Sequence, residues 1–438
     1  MKNPSTHSIL LGCCLALVAR AAPPPDLFEP ALKEWLGQNA GGVAAAHIDP
    51  DGVTFFNAGR FDGADSPAIT PDTQFEIGSV TKVFTALLLA DTIRAGKIKL
   101  SDPVGAPFAP SAVTYEQLAT HTAGLPQMPA NIVRVDPLNP TATETVPDLV
   151  QAFDALSGGL KPAPSNYSNF GFAVLGQAVA GAWGQPYEQL LETRVLRPLG
   201  LHDTVTSWRL ADATRLAPPH AENGPMKNWD LNAMTSAGAL VSTSRDLAKF
   251  VQVALGLTST ALQEAMAATL QSHASRGRPG QEIGLAWHIE KQGPRTVYWH
   301  NGGTGGYRSF IAFDAAQKTG VVLITNRATS LDTLGMSLLA GRRPPVMAPS
   351  TAPAEHLKEY LGRYPLLPTF VMVVAADGEQ LFVQATGQSR LTLLPLTADR
   401  YSVKGVTAEV WFERDAVGKI VALVLHQNGR DQRAVKAE

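Results

Sequence analysis

Phe75-Glu76-Ile77-Gly78-Ser79-Val80-Thr81-Lys82-Val83-Phe84-Thr85 is the stretch around which the remaining sequence organises itself. Beyond Ser79 the apolar residues Val80, Val83, Phe84, Leu87, Leu88 and Leu89 recur at helical spacing, dense enough for a helix buried on nearly every side. Gly78 permits a sharp turn into that helix, and Ser79 stands at its start, where unpaired N–H groups favour negative charge. Lys82, three residues on, shares a helix face with the Ser79 hydroxyl. A lysine on an apolar helix gives up its proton more easily than one in water, and a neutral amine beside a serine activates it as a nucleophile. The plain alternative is a serine cap with a lysine that reaches solvent from the first turn. Ser79 is the one serine in the chain with lysine at the third following position, so its spatial partners decide between the two.

Working outward, 438 residues exceed one compact core and predict two or three structural units. Apolar content of 45% with 17% charged residues describes a folded globular chain, and a formal charge of -2 offers no basic field for nucleic acid. Neither a phosphate-binding glycine loop nor a His-Glu-x-x-His zinc helix occurs. At the N-terminus, Lys2, the apolar run Ile9 to Val18 and the small residues around Ala21 read as a cleaved secretory signal over residues 1–21. That run is too short to span a bilayer, so a periplasmic or secreted protein without a transmembrane segment is expected. Leu10-Leu11-Gly12-Cys13 also has the look of a lipoprotein processing site, the second choice. Cys13 and Cys14 both fall in the signal, which leaves the mature chain no thiol or disulfide.

Along the mature chain, a short helix is expected over Leu32 to Gln38, then strands Gly42 to Ile48 and Val53 to Ala58 around the turn Pro50-Asp51-Gly52. From about 97 to 235 the sequence is mostly helical, with clear pieces at Glu116 to Thr120, Val146 to Leu156, Phe170 to Ala182 and Tyr187 to Leu196. Thr243 or Ser244 caps a further helix to Leu255. Strands are then predicted at Leu285 to Glu290, Thr296 to Trp299, Arg308 to Phe313 and Gly320 to Ile324, with a helix from Ser330 to Ala340. A hairpin at one end and several strands at the other predict an α+β domain over 22–341. Its antiparallel sheet takes strands from both ends and is flanked by helices, with a helical lobe inserted at about 97–235. Residues 342–355, rich in Pro, Ala, Ser and Thr, read as a linker. Short alternating strands at 371–375, 380–385, 391–395, 409–414 and 420–427 make 356–438 a small all-β unit.

Two further patterns bear on Ser79. Tyr167-Ser168-Asn169 precedes the helix starting at Phe170; its phenol can hold a proton and its amide can meet a substrate carbonyl, or it is simply a turn with an asparagine cap. His300-Asn301-Gly302-Gly303-Thr304-Gly305-Gly306 ends a predicted strand, its glycines allowing close approach to the backbone; the plain alternative is a glycine-rich hairpin with a chance histidine.

Taken together and in this order, Ser79-Val80-Thr81-Lys82, Tyr167-Ser168-Asn169 and His300-Asn301-Gly302 resemble the three active-site motifs of the serine β-lactamase and penicillin-binding superfamily. The Tyr-x-Asn form is similar to the class C β-lactamase branch, and the likeness extends over Leu118 to Pro126 on the lobe and from Leu32 to Ala340 overall. The resemblance implies a β-lactamase/transpeptidase-like fold and a small-molecule substrate, with neither metal nor cofactor. Ser79 would be the nucleophile, Lys82 and Tyr167 the proton-transfer pair, and the N–H groups of Ser79 and Gly303 the oxyanion site. Asn169 would bind the substrate amide, and His300 with Asn301 would orient its carboxylate; Gln127 would match the family's substrate-binding glutamine, and Gly302 and Gly303 would complete the substrate-binding set. A class C-like β-lactamase is the leading expectation, ahead of a D-alanyl-D-alanine carboxypeptidase, a small-ester hydrolase, or a protein that binds β-lactams without turnover. A monomer is expected. Class C enzymes usually carry lysine where His300 stands, and a C-terminal β-barrel like the expected one is found only in some relatives.

Overall fold

The computed structural model describes residues 25–344 and 357–437, except positions 38, 39, 133–135, 137, 222, 223, 278 and 294 in the first stretch and 368, 369, 379, 387–389, 398, 404–407, 416, 428 and 429 in the second. The expected signal, 1–21, and all but the first three residues of the expected linker, 342–355, lie outside the described residues.

Eight strands of the first stretch form one antiparallel sheet: β1 (Gly42–Asp49), β2 (Gly52–Gly59), β3 (Ala274–Ser275), β4 (Gln281–Ile283), β5 (His288–Gln292), β6 (Arg295–Gly303), β7 (Arg308–Asp314) and β8 (Thr319–Thr325). Their order is β2-β1-β8-β7-β6-β5-β4-β3, so the N-terminal hairpin joins the late strands through β1 and β8, with Val43 opposite Thr325 and Ile48 opposite Gly320. Strand β1 is buried from Gly42 through Ile48 because both sheet faces are covered. Its period of two divides the core: Val43 and Ala45 pack with Phe28, Leu32, Leu334 and Leu338, while Ala44, Ala46 and Ile48 face Phe250 and Val251. The helices behind these residues are Pro25–Leu36 and Asp332–Leu339 on one face and Ser244–Ala254 on the other.

Between β2 and β3 the chain is mainly helical, as expected. The helix Thr81–Arg94 is buried from Thr81 through Thr92, which accounts for its nearly all-round apolar pattern. Thr243 caps Ser244–Ala254 by accepting from Asp246 N. Some boundaries differ from expectation for local reasons. The first helix begins at Pro25 rather than Leu32, because Leu27 and Phe28 anchor it to the sheet. The strand expected at Leu285 starts only at His288: Leu285 N donates to Thr269 O and Ala286 N to Ala119 O, so these amides tie off to helices rather than joining the ladder. The piece expected from Tyr187 to Leu196 is α-helical to Leu191 and finishes as a π-turn.

The second stretch is an eight-stranded antiparallel meander: β9 (Gly362–Leu367), β10 (Phe370–Asp377), β11 (Gln380–Ala385), β12 (Leu391–Thr397), β13 (Arg400–Val403), β14 (Ala408–Arg414), β15 (Ile420–Gln427) and β16 (Arg430–Val435). It curls into a nearly closed barrel around Tyr360, Tyr364, Leu393, Val410, Phe412 and Leu423, and Ala437 N donates to Arg363 O where its ends meet.

Candidate active site

Gly78 opens a single 3-10 turn, Gly78–Val80, that precedes the long helix, so Ser79 sits at a bend rather than inside a regular turn. The bend is possible because Gly78 adopts φ +50, and a Cβ there would lie 2.5 Å from Gly303 N. The end of β6 presses equally closely from the other side. A Cβ on Gly302 would lie 2.0 Å from Ile77 O and 2.9 Å from Ser79 N. Ser309 Oγ donates to Ile77 O at 2.6 Å and pins the turn to the sheet. Two glycines thus bring the backbone of Ser79 and that of Gly303 to one edge of a cavity of about 410 Å³ that both residues line.

Lys82 is fully buried, and its Nζ has three oxygen neighbours: Ala237 O at 2.6 Å, Asn169 Oδ1 at 2.7 Å and Ser79 Oγ at 3.1 Å. Burial holds its pKa well below the ordinary lysine value. The two carbonyl oxygens only accept, so a neutral amine donates both its hydrogens to them and turns its lone pair toward the Ser79 hydroxyl. A lysine that reaches solvent, the plain alternative for this motif, is not what the chain builds.

The second motif is assembled by a capping choice. Ser168 is the cap of the helix Asn169–Trp183, accepting from Gly171 N at 2.8 Å, so Asn169 falls inside the first turn and its amide is left for Lys82. An asparagine cap would have used that amide on the backbone. The Tyr167 ring lies 4.8 Å from Lys82 Nζ, and burial raises its pKa against an opposing influence of Ser79, which keeps it a protonated phenol. His121, in the left-handed region at φ +59, supports this motif: its Nδ1 accepts from Ser168 N at 3.1 Å and its ring lies 4.7 Å from that of Tyr167. Gln127 lines the cavity, and its carbonyl accepts from Asn169 N and Phe170 N.

The third motif departs from the expectation. Gly302 and Gly303 meet the nucleophile turn, but Asn301, on the opposite face of β6, donates its Nδ2 to Asp332 at 2.7 Å and is turned away from Ser79. His300 is fully buried, and desolvation above all lowers its pKa to about 3, so its ring is neutral.

Several participants carry no motif. Ala237 acts through its carbonyl, which leaves no mark in the sequence. Glu76, a charged residue inside Phe75-Glu76-Ile77, was visible. It is buried; desolvation raises its pKa, and hydrogen bonds from Asn228 and Trp229 N oppose the rise. It accepts from Asn228 Nδ2 at 2.8 Å and from Trp229 N at 3.0 Å, tying the cavity wall at Trp229 to the strand that leads into Ser79. Across the cleft, Asp230 joins two loops: it accepts from Arg209, Trp208 Nε1 and Asn139 Nδ2, and its carbonyl accepts from Thr141.

The β-lactamase family profile matches residues 26–337, nearly the whole span that carries this site. The chain belongs to the β-lactamase family. A second profile, a domain of unknown function (DUF3471), matches 347–436. The D-alanyl-D-alanine-carboxypeptidase/endopeptidase AmpH of Escherichia coli (strain K12) is 27% identical over 318 residues, covering 67% of this chain and 81% of that protein. A β-lactamase of Pseudomonas fluorescens is 26% identical over 341 residues, covering 68% and 91%. The crystal structure of a class C β-lactamase from Rhodobacter sphaeroides superposes with a TM-score of 0.60 at 22% identity, covering 68% of this chain and 93% of that one, and has the same fold. This β-lactamase-family chain therefore has the expected β-lactamase/transpeptidase-like architecture and the serine-hydrolase character of the family. Among the described residues no helix is long and apolar enough to cross a membrane.

Proposed function

We propose that the protein hydrolyses a small acyl substrate through an acyl-enzyme on Ser79, with the β-lactam amide bond as the leading target. The observation that carries this reading is the buried, easily deprotonated Lys82 amine, 3.1 Å from Ser79 Oγ at the mouth of a cavity. Lys82 takes the Ser79 proton as the hydroxyl attacks the carbonyl. Tyr167, which stays protonated and whose ring lies over Lys82, hands a proton to the departing nitrogen or oxygen and is reprotonated from Lys82. The N–H groups of Ser79 and Gly303 hold the oxyanion, and the Asn169 and Gln127 amides meet the substrate amide. Water then cleaves the ester. The chain is read as an exported monomer, with residues 1–21 removed and a catalytic unit over 22–341 followed by the barrel unit.

Incubation with a chromogenic cephalosporin followed by an intact-mass measurement tests the reading. Turnover supports a β-lactamase, and a persistent adduct supports a penicillin-binding protein. Ester cleavage without either points to an esterase. Chemistry that survives Ser79→Ala refutes the nucleophile.

A further inference from the structure

The loop 120–127 runs beside the segment that delivers Tyr167 and holds it through a row of hydrogen bonds. Ala163 N donates to Thr122 O at 2.9 Å, and Ser168 Oγ donates to Pro126 O at 2.6 Å. The buried His121 makes two more. Its carbonyl oxygen accepts from Asn166 N at 2.7 Å, and its ring Nδ1 accepts from Ser168 N at 3.1 Å. One residue therefore takes the backbone donors on both sides of Tyr167. Its ring also packs on that of Tyr167, with 4.7 Å between centroids, and on that of Phe172 at 5.0 Å.

Two features set this contact apart from ordinary packing. His121 holds a left-handed backbone, φ +59, which residues other than glycine seldom adopt. The other is the donor it serves. Ser168 caps its helix, so its buried N–H lies outside the helix ladder and needs an acceptor from elsewhere. A ring nitrogen accepts only through a lone pair, so in the neutral imidazole Nδ1 is bare and Nε2 carries the hydrogen.

We infer that His121 is a positioning residue for Tyr167, holding the phenol where its proton can pass to the leaving group. This rests on Tyr167 as the proton donor: its O–H bond breaks as the departing oxygen or nitrogen takes the proton, and Lys82 returns the one drawn from Ser79. The Nδ1 acceptor is the working part, because without it Ser168 N must find another partner and the backbone beside Tyr167 shifts. Asparagine can stand in for it. Its Oδ1 is as many bonds from Cα as Nδ1, and it tolerates the left-handed backbone. Glycine tolerates that backbone too and offers no acceptor.

Phenyl acetates with leaving groups from p-nitrophenol to unsubstituted phenol form the test series, together with a chromogenic cephalosporin. They are turned over by the native protein, His121→Gly, His121→Asn and Tyr167→Phe, with thermal melts of each. An acidic phenol leaves as its anion and needs no proton, whereas a weakly acidic phenol or a lactam nitrogen depends on the donor. His121→Gly should lose about 100-fold in kcat/KM with phenyl acetate and the cephalosporin, and less than about fivefold with the p-nitrophenyl ester. Tyr167→Phe should show the same steep dependence on the leaving group. His121→Asn should recover about tenfold or more of the loss, the scale of one hydrogen bond restored, although both variants drop the ring and should melt alike.

A loss in His121→Gly that is uniform across the series overturns the inference, because a general disturbance of the site does not read the leaving group. So does a His121→Asn protein as impaired as His121→Gly. Should His121→Gly fail to fold, His121→Asn decides alone: a dependence as steep as that of Tyr167→Phe overturns the inference. Tyr167→Phe with the native dependence removes the proton donor, and this inference with it. No reaction of the native protein with any of these compounds refutes the acyl-enzyme reading itself, and the role of His121 falls too.

Discussion

Replacing Gly302 by alanine adds one methyl group where β6 meets the nucleophile turn, and the consequences can be worked from distances. The new Cβ would lie 2.0 Å from Ile77 O and 2.4 Å from Ser309 Oγ, where ordinary contact begins at 3.4 Å. Neither neighbour is the end of a flexible chain: one is backbone, and the other is the hydroxyl hydrogen-bonded to that same backbone. The strand and the turn must therefore separate by about 1 Å, which carries Gly303 N away from the oxyanion position, and misplacement on that scale costs about 100-fold in rate. Overpacking costs about 1–3 kcal/mol of stability, so the variant should fold with a lowered melting temperature. Stopped-flow acylation by a chromogenic cephalosporin, alongside thermal melts of both proteins, reads the two effects separately. A folded Gly302→Ala protein that acylates within threefold of the native rate would refute the claim that close approach of these two backbones builds the oxyanion site.

Lys82→Met should cut acylation by about 100- to 10,000-fold, the usual contribution of a positioned base, and leave the fold intact. In the native protein acylation should rise with pH and level off well below the ordinary lysine pKa, because burial lowers that of Lys82. The sign for stability follows: the unfolded chain binds the Lys82 proton and the native one does not. Native stability should therefore climb between the lowered pKa and about 10.4, a slope that chemical denaturation should find missing in Lys82→Met. Asn301→Ala should change acylation less than threefold and lower the melting temperature, since it strips Asp332 of its amide donor; a hundredfold kinetic loss would return Asn301 to the substrate site. Asp230→Ala should raise KM about tenfold and leave kcat within threefold, because it removes the carboxylate that ties Asn139, two residues before the cavity-lining Thr141, to Trp208 and Arg209; equal loss in both constants would argue against a wall-positioning role.

The parts of this architecture that were legible in advance rest on short-range periodicity. The helix from Thr81 is apolar at nearly every turn because it is buried from Thr81 through Thr92, and burial of that kind writes itself directly into composition. The alternation in β1 likewise records the two core faces. The barrel strands β9, β13 and β16 were not visible: one contains Pro365, one is four residues long, and one reads Arg-Asp-Gln-Arg. Within the site, Ser79, Lys82, Tyr167 and Asn169 come together as expected, whereas Asn301 does not join them. Residue type foretold an amide at that position, but the face of a strand on which it falls depends on register, and register was settled by the glycines pressed against Ile77 and Ser79. The burial of His300 was hidden for a related reason: depth is a property of what packs on top, here His288 and Tyr167.

The helix that holds Lys82 is also the centre of the larger hydrophobic core, with Val83, Phe84, Leu87 and Leu88 all inaccessible to water. Chemistry and solidity are therefore inherited together in this chain. A substitution near the base that retunes its basicity also disturbs the packing of the lobe on the sheet, and variants there are lost to unfolding before any gain in rate can be selected. Gln127, Met128, Pro140, Trp229 and Leu231 lie on connecting segments around the same cavity and carry no comparable burden. Divergence toward new substrates, in nature or in the laboratory, has its open ground in those segments, while the serine, the lysine and the helix beneath them change as one unit or not at all.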